Sequence, residues 1–301
     1  MKYLILRLVA LVSLVSSSAM AWGPDGHSAI AEIAERNLLP QTEKVLSSVM
    51  GEGVSLASGS GWADVIRDTR PETTRWHFVD MPIAETEYDP TRDCVLTPEG
   101  DCSVAAIERL QKKIDPKGKP QEQRETLKYI VHLIGDIHQP MHTVLDEDAA
   151  NLIEVIITGK GATDRKQCTI NDCPRSNLHA LWDSVLIHKE SWNWGQLVDI
   201  INAQGPFSLP SKGYNPIGWA NETHLVAIDM WNLALEKMAP DSKHYIIDQA
   251  YLTVATPVLH QQVYRAGMRL ANFLNCYYGQ SQQACAAVPA PREPSWKKLF
   301  Q

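Results

Sequence analysis

The segment from His132 to His142 places four candidate metal ligands within eleven residues. It follows a helical pattern that starts near Glu122, and Pro140 predicts that this helix ends shortly after Asp136, because proline cannot continue a helix interior. Residues four apart share one helix face, so His132 and Asp136 can bind the same ion. Imidazole and carboxylate ligands suit zinc or a similar transition metal and favour catalysis over a structural role. The alternative is a helix end with a few solvated histidines, which this density of ligands disfavours.

Helical periodicity extends over most of the chain and predicts a mainly α fold, a helical, bundle-like single domain with little sheet. The one clear strand pattern is Ile153–Thr158, which ends before Gly159 and is typical of one half of a short β-hairpin. Pro257 lies inside the last helical segment and predicts a kink there. The predicted helices cover Ser28–Leu38, Gln41–Val49, Leu56–Asp68, Val104–Lys113, Gln121–His138, Leu178–Val185, Asn193–Asn202, Trp219–Met238 and Ile246–Phe273.

Residues 1–21 are typical of a secretory signal peptide. A basic start is followed by the apolar run Leu8–Val15 and by a small-x-small cleavage site at Ala19-Met20-Ala21. Cleavage there would leave Trp22 as the new N-terminus of a single domain over residues 22–301. The apolar run is too short for a transmembrane helix, and no later stretch is long and apolar enough. We therefore expect an exported, soluble protein, secreted or periplasmic, with no membrane partner.

The formal net charge is −7, and it becomes −9 when Lys2 and Arg7 are removed with the signal peptide. An acidic chain argues against a broad basic surface that would hold nucleic acid by phosphate contacts alone. It does not exclude a nucleic-acid enzyme whose positive charge comes from bound metal ions.

The six cysteines stand in three close pairs along the chain. An exported protein favours local disulfides, although the spacing leaves their connectivity open. No two cysteines have the Cys-x-x-Cys spacing, which disfavours a zinc site built on thiolates. The three close pairs are Cys94 and Cys102, Cys168 and Cys173, and Cys276 and Cys285.

A second His-x-x-x-Asp pair, His179 and Asp183, again lies on one helix face. Further isolated candidates are each more often a cap or a hydrogen-bonded polar group than a ligand. Two such pairs together with His142 nevertheless favour a metal centre. His138 follows Asp136 by two residues, a rotation of about 200° that directs it away from the metal-binding face and favours a supporting contact. The isolated candidates are His27, Asp64 and His77.

Six motifs occur along the chain in a fixed order. They are Trp22-Gly23-x-x-Gly26-His27, Trp62-Ala63-Asp64-x-x-Arg67, Trp76-His77-Phe78-Val79-Asp80, His132-x-x-Gly135-Asp136-x-His138-Gln139-Pro140-x-His142, Asn177-Leu178-His179-x-x-Trp182-Asp183 and Ala266-Gly267-x-Arg269-Leu270-Ala271. In this order the chain resembles the S1/P1 nuclease family, secreted zinc-dependent nucleases specific for single strands and related to the zinc phospholipases C. The resemblance spans nearly the whole mature chain.

The resemblance implies three zinc ions. Asp136 would bridge the first two ions, and three aspartates against three divalent ions would leave a locally cationic site in an acidic protein. The implied ligands are Asp64, His77, His132 and Asp136 for the first ion, the amine and carbonyl of Trp22 with His27 and Asp136 for the second, and His142, His179 and Asp183 for the third.

The resemblance also implies hydrolysis of phosphodiester bonds in single-stranded DNA and RNA to 5′-phosphorylated products. We expect the enzyme to be a monomer that also binds nucleotides. An added 3′-nucleotidase activity is left open. Asp64 and Asp136 would act in catalysis as ligands, and Arg67, about one helical turn after Asp64, would contact the phosphoryl oxygens. Phe78 would stack on the nucleobase and Asp80 would accept hydrogen bonds from its edge. Stacking requires an unpaired base, which explains a preference for single strands.

One departure and two alternatives stand beside this interpretation. The family has a Gly-Gly-Asn turn where this chain has Ala149-Ala150-Asn151, so we expect a reshaped hairpin, because glycine supplies positive φ. A zinc phospholipase C is the first alternative, but that branch has His-x-x-x-Glu where this chain has Asp183. The second is a non-catalytic exported protein stabilised by zinc, although structural zinc sites are usually closed and rich in cysteine.

Overall fold

The computed structural model describes residues 22–210 and 213–286, so the predicted signal peptide lies outside the described residues. Helices dominate, which confirms the predicted fold class. In the described part of the chain, no helix is both long and apolar enough to cross a membrane. The helices are α1 (Pro24–Glu35), α2 (Pro40–Met50), α3 (Leu56–Gly59), α4 (Trp62–Ile66), α5 (Pro90–Asp93), α6 (Ser103–Gln111), α7 (Pro120–Asp136), the helical turn α8 (Asp146–Ala149), α9 (Leu178–Ala180), α10 (Leu186–Glu190), α11 (Trp194–Gln204), α12 (Pro216–Leu235), α13 (Gln249–Tyr277) and α14 (Gln282–Ala286). Short 3₁₀ helices cover Arg67–Thr69, Pro71–His77 and Pro140–Thr143, and a π-helical turn covers Leu181–Val185.

Helix α7 is the central helix of the fold. It ends at Asp136, as predicted, and Pro140 begins the next short helix. Every residue from Tyr129 to Asp136 is buried, and α7 packs against α1, α2, α6 and α13. His132 and Asp136 are therefore polar groups inside the apolar core, where each needs a polar partner or an ion.

The beginning of the described chain is anchored beside the end of α7. The Trp22 side chain is fully buried, and its indole N–H donates to the carbonyl of Gly135 at 3.0 Å. The Gly23 N–H donates to the carbonyl of Asp183 at 2.7 Å. Helix α1 then packs closely on α13, because a Cβ atom at Gly267 would lie only 2.5 Å from Cγ2 of Ile33. The chain around Trp22 is thus held between the residue before Asp136 and Asp183, and both aspartates are predicted ligands.

A small mixed sheet lies beside the helices, with strands β1 (Glu154–Ile157), β2 (Arg175–Asn177) and β3 (Tyr245–Ile247) in the order β2-β1-β3. Strand β1 confirms the predicted strand, and its antiparallel pairing with β2 confirms the hairpin partner. The sequence interpretation missed β3, which pairs with β1 in parallel.

Because of β3, the last long helix starts later in the chain than we predicted. We expected a helix from Ile246, but α13 begins at Gln249, after the side chain of Asp248 accepts hydrogen bonds from the N–H groups of Ala250 and Tyr251. That N-cap fixes the helix start, and the β-branched residues before it join the sheet instead. The helix runs on across Pro257 to Tyr277.

The single helix expected over Leu56–Asp68 was wrong. The chain forms α3, α4 and a 3₁₀ helix instead, with a break at Ser60-Gly61 directly after Gly59. Two glycines in three residues destabilise a helix interior, since glycine has the most backbone freedom to lose. The break has a consequence for the site, because the freed carbonyl of Ser60 accepts a hydrogen bond from Nδ1 of His132 at 2.7 Å.

The predicted helix Leu178–Val185 is present but is not uniformly α-helical. Its second half is the π turn Leu181–Val185, and α10 continues the helix to Glu190. A π turn inside an α-helix inserts one extra residue and is frequent at functional sites. Here it contains Asp183, one of the predicted ligands.

The three predicted local disulfides are all formed, and each joins the two cysteines nearest in sequence. None of the described cysteines is free, so no thiolate is available for metal binding in that part of the chain.

Candidate metal centre

Asp136 lies at the centre of the predicted site, with its two carboxylate oxygens directed at different histidines. Oδ2 is 3.0 Å from Nδ1 of His77 and 3.1 Å from Nε2 of His132. Oδ1 is 3.2 Å from Nε2 of His27. All four side chains are at most 1% exposed, so these polar contacts are shielded from water. A carboxylate with this arrangement can bridge two cations.

Asp64 completes one side of this arrangement. Its Oδ1 lies 3.5 Å from both Nδ1 of His77 and Nε2 of His132. The structure thus forms two overlapping groups whose ligand atoms lie within 4.8 Å of one another, one with Asp64 and His77, the other with His27 and Asp136, and His132 belongs to both. The sequence interpretation assigned these residues to two neighbouring ions, and the structure brings all of them together.

A third group lies next to the first two. His142, His179 and Asp183 bring ligand atoms within 4.8 Å of one another. The Asp183 oxygens lie 3.2 Å from Nε2 of His179 and 3.6 Å from Nε2 of His142. Nδ1 of His142 is 3.8 Å from Oδ1 of Asp136, so the third group adjoins the pair.

Backbone carbonyls fix the orientation of three of these imidazole rings. When a carbonyl accepts from Nδ1–H, the neutral ring presents its other nitrogen, Nε2, to a metal. Sequence patterns carry no signal for such contacts, because every residue has a carbonyl group. The pairs are His132 Nδ1 with the Ser60 carbonyl at 2.7 Å, His142 Nδ1 with the His77 carbonyl at 2.8 Å, and His179 Nδ1 with the Ala149 carbonyl at 2.7 Å.

The carbonyl that orients His179 belongs to a left-handed turn. Glu147, Asp148, Ala149 and Ala150 have φ angles of 50°, 54°, 52° and 68°. Non-glycine residues rarely adopt this region, because Cβ approaches the carbonyl oxygen. Ala149 and Ala150 therefore adopt, at some cost in free energy, a conformation that glycine adopts freely.

Several ligand atoms have no hydrogen-bond partner among the described residues, although they are buried. Buried polar atoms are normally satisfied, so a cluster of them without protein partners fits a bound ion. A set of histidines and aspartates without cysteine suits zinc and leaves coordination positions open for water and substrate. The residues present thus fit a metal centre. The unpartnered ligand atoms are His27 Nε2, Asp64 Oδ1, Asp136 Oδ1, His142 Nε2 and His179 Nε2.

The electrostatics of the cluster favour a cation. Burial opposes ionisation of Asp64, but the charge and hydrogen bond of His132, together with the charge of His27, outweigh it and lower the pKa of Asp64 to about 2. Burial equally opposes a charge on His132, and the carboxylates of Asp136 and Asp64 raise its pKa to about 10. The cluster therefore holds a positive charge in either form, as a proton on His132 or as a metal ion that displaces it.

His138 points away from the ligands, as predicted. Its Nδ1 donates to the carbonyl of Ile134 at 2.6 Å, and its Nε2 accepts from Nη1 of Arg269 at 2.8 Å. Arg269 is also paired with Glu222. Burial and the neighbouring guanidinium hold the pKa of His138 well below its ordinary value, so this ring is a neutral acceptor that ties the end of α7 to α13.

The remaining predicted site residues are close to ligands along the chain. The Arg67 side chain is half-buried, one turn after Asp64. The backbone N–H of Arg67 donates to the Asp64 carbonyl. Phe78 has an extended backbone with φ of −147° and ψ of 173°. Phe78 and Asp80 are two residues apart and partly exposed, whereas Val79 between them is fully buried.

The sequence interpretation missed Arg75. Nη2 of Arg75 donates to Oδ2 of Asp80, and its guanidinium carbon lies 5.9 Å from the centroid of the Phe78 ring. The sequence patterns gave no signal for this contact, because the 3₁₀ helix Pro71–His77 that carries Arg75 was not predicted. Burial raises the pKa of Asp80, and the neighbouring Arg75 only partly offsets this.

We predict that Gly135→Ala weakens zinc binding about tenfold or more, because ligand orientation is disturbed. A Cβ atom at position 135 would lie 2.9 Å from Nδ1 and 3.1 Å from Cε1 of His27. Titration of the purified protein against a competing chelator would measure the affinity. Gly195→Ala is the control, since a Cβ there meets only the Asn193 side chain at 3.2 Å. Equal zinc affinity in both variants would contradict the prediction.

Comparison with known proteins assigns a family to this arrangement. The model of the family S1/P1 Nuclease matches residues 22–279. The chain is 25% identical over 285 residues to Nuclease S1 of Aspergillus oryzae, a match that covers 86% of this chain and 92% of that protein. It is 24% identical to Nuclease P1 of Penicillium citrinum, covering 86% and 98%. It is 25% identical to Endonuclease 3 of Arabidopsis thaliana, covering 94% and 97%.

These relatives match nearly their whole length, and the family match includes every residue of the three ligand groups. The expectation drawn from the order of the motifs is therefore confirmed, and the protein belongs to the S1/P1 nuclease family.

Proposed function

We propose that the mature protein is a zinc-dependent endonuclease that hydrolyses phosphodiester bonds of single-stranded DNA and RNA to 5′-phosphorylated products. Family membership and the names Nuclease S1 and Nuclease P1 of its relatives support this function. The observation that carries the proposal is the Asp136 carboxylate, whose two oxygens face separate sets of histidines at 3.0–3.2 Å. Zinc, when bound, lowers the pKa of water and neutralises charge on a phosphoryl group.

Three zinc ions are proposed, with the ligands that the family resemblance implies. The overlapping groups around Asp136 would hold two ions with the help of the Trp22 amine, and the group around Asp183 would hold the third. The anchoring of Trp22 to Gly135 and of Gly23 to Asp183 supports a ligand at the N-terminus. The three aspartates would leave a net positive charge, which attracts the phosphate backbone to an otherwise acidic protein.

We assign the substrate contacts to residues that are close to the ligands along the chain. Arg67 would bind the phosphoryl oxygens, since guanidinium and phosphate form paired hydrogen bonds. Phe78 would stack on a base while Asp80 accepts from its edge. The N–H of Val79 donates to the carbonyl of His142 at 2.8 Å, which links the base-binding residues to the third ligand group. A base inside a duplex cannot reach such a stacking position, and this favours single strands.

Export of a monomer that acts without a membrane partner is part of the same proposal. The family match begins at Trp22, the residue that follows the proposed cleavage site, which supports a single catalytic domain starting there. Local disulfides are usual in secreted and periplasmic proteins.

The test combines metal analysis with a panel of substrates. Mature protein beginning at Trp22 is expected to contain about three zinc per chain and to cleave single-stranded DNA and RNA much faster than duplex DNA. A chelator should abolish cleavage, and zinc should restore it. Phosphatidylcholine serves as the comparison substrate. Faster hydrolysis of phosphatidylcholine would overturn the proposal in favour of a phospholipase, and zinc-loaded protein without any phosphodiesterase activity would indicate a structural metal.

A further inference from the structure

The proposed nucleobase pocket of this chain contains a basic side chain in addition to Phe78 and Asp80. Arg75 pairs with Asp80 and lies 5.9 Å from the centre of the Phe78 ring. The Arg75 side chain is 25% exposed and that of Asp80 is 16% exposed, so the pair is partly accessible to a ligand. A base stacked on Phe78 would therefore meet a donor and an acceptor side by side.

Both members of the pair retain unused hydrogen-bonding capacity. The Nε atom of Arg75 is buried and has no hydrogen-bond partner among the described residues. A guanidinium has five N–H donors, whereas a carboxylate has two acceptor oxygens with about four lone-pair positions. The contact between Nη2 of Arg75 and Oδ2 of Asp80 uses only one N–H donor and one lone-pair position. The remaining donors and acceptors can bind a ligand without separating the pair.

Guanine matches this pattern better than the other bases. Its Watson–Crick edge has two adjacent donors, N1–H and the N2 amino group, beside the O6 acceptor, and N7 is a further acceptor. A carboxylate can accept from both donors while an arginine donates to O6 or N7. Adenine and cytosine offer one amino group beside a ring acceptor, and thymine and uracil offer one N–H between two carbonyls. None of these bases presents two donors and an acceptor side by side, so each makes fewer hydrogen bonds to the pair.

We propose that Arg75 and Asp80 together make the nucleobase pocket selective for guanine. This proposal rests on the proposed nuclease function and on stacking of the base against Phe78. Arg75 is then a specificity-determining residue, because it contacts the base and not the reacting phosphate.

The experiment measures kcat/KM of zinc-loaded protein for all sixteen single-stranded dinucleotides, so that each base is compared at each of the two positions. At one position, guanine is expected to exceed every other base about tenfold, the usual size of a discriminating base contact. Arg75→Ala should lower this preference at least about threefold, because the donor to O6 or N7 is lost while the Asp80 carboxylate remains. Arg75→Lys should also lose most of it, since an ammonium group lacks the planar fork of donors.

Arg70→Ala is the matched control. Arg70 is partly exposed and pairs with Glu72 at 2.6 Å and with Glu125 at 3.2 Å, so its loss removes one nearby positive charge without touching the pocket. The guanine preference should persist in this variant. Zinc content and melting temperature of each variant show whether folding and metal binding are retained.

The outcomes separate the two proposals. If the wild type hydrolyses none of the dinucleotides, the proposed function fails. If it hydrolyses them all without preferring guanine, only the present inference is overturned. If guanine is preferred but folded, zinc-loaded Arg75→Ala and Arg75→Lys keep the preference, Arg75 does not determine it and the assignment is wrong.

Discussion

Replacement of Asp136 by asparagine is expected to lower phosphodiesterase activity by at least about a thousandfold, because the two proposed metal ions around Asp136 would lose their shared ligand. In the amide, one of the two oxygens becomes an NH₂ group that cannot bind a cation. The oxygens of Asp136 approach His27, His77 and His132 at 3.0–3.2 Å, so the loss reaches both overlapping groups. Zinc content and kcat/KM on single-stranded DNA measure the effect.

Asp101→Asn provides the matched control for this prediction. Asp101 is also a buried carboxylate, but its partner is Arg109 and it belongs to none of the described ligand groups. This variant should keep its zinc and remain within about threefold of wild-type activity, as expected for a pair that is partly exposed. An Asp136→Asn protein that binds three zinc ions and cleaves within tenfold of wild type would show that the carboxylate is not a bridge.

One additional alanine before Trp22 is expected to remove about one of three zinc ions and to lower activity about a hundredfold. The extension converts the terminal amine into an amide nitrogen, which is a poor metal ligand. A free amine has a pKa of about 7.7–8.0 and must lose its proton to bind a metal. For the same reason, the precursor with its signal peptide is expected to be inactive inside the cell.

Two variants isolate the amine as the cause. The same alanine appended after Gln301 should leave zinc content and activity unchanged. Trp22→Phe keeps the terminal amine but removes the indole N–H that donates to the Gly135 carbonyl at 3.0 Å. It should therefore keep more zinc than the extended protein. If the extended protein binds three zinc ions with full activity, the N-terminus is not a ligand.

Local chemistry explains which parts of the site were predictable. His132 with Asp136 and His179 with Asp183 are four residues apart, so helix geometry alone places each pair on one face. Proline chemistry ends α7 after Asp136, and the rotation of two helical residues directs His138 away, as the structure confirms. The order of the motifs led to the family, which the comparison shows.

Other features depend on contacts between distant segments. The glycines at 59 and 61 break a helix that the apolar pattern favoured, and the Ser60 carbonyl then meets His132 from 72 residues away. Strand β3 forms only because β1 lies beside it, since three residues have no stable extended structure alone. Arg75 gained its significance only when the structure placed it against both Phe78 and Asp80.

The sequence by itself determined the helical class, the two His-x-x-x-Asp pairs, the end of α7 and the close cysteine pairs. These depend on covalent geometry and on neighbours within a few residues. The tertiary structure alone decided that His27, Asp64 and His77 meet the end of α7, and that Asp136 presents one oxygen to each set of histidines. Such convergence is a property of packing, because the burial of α7 among α1, α4 and α13 brings together side chains that the chain itself keeps far apart.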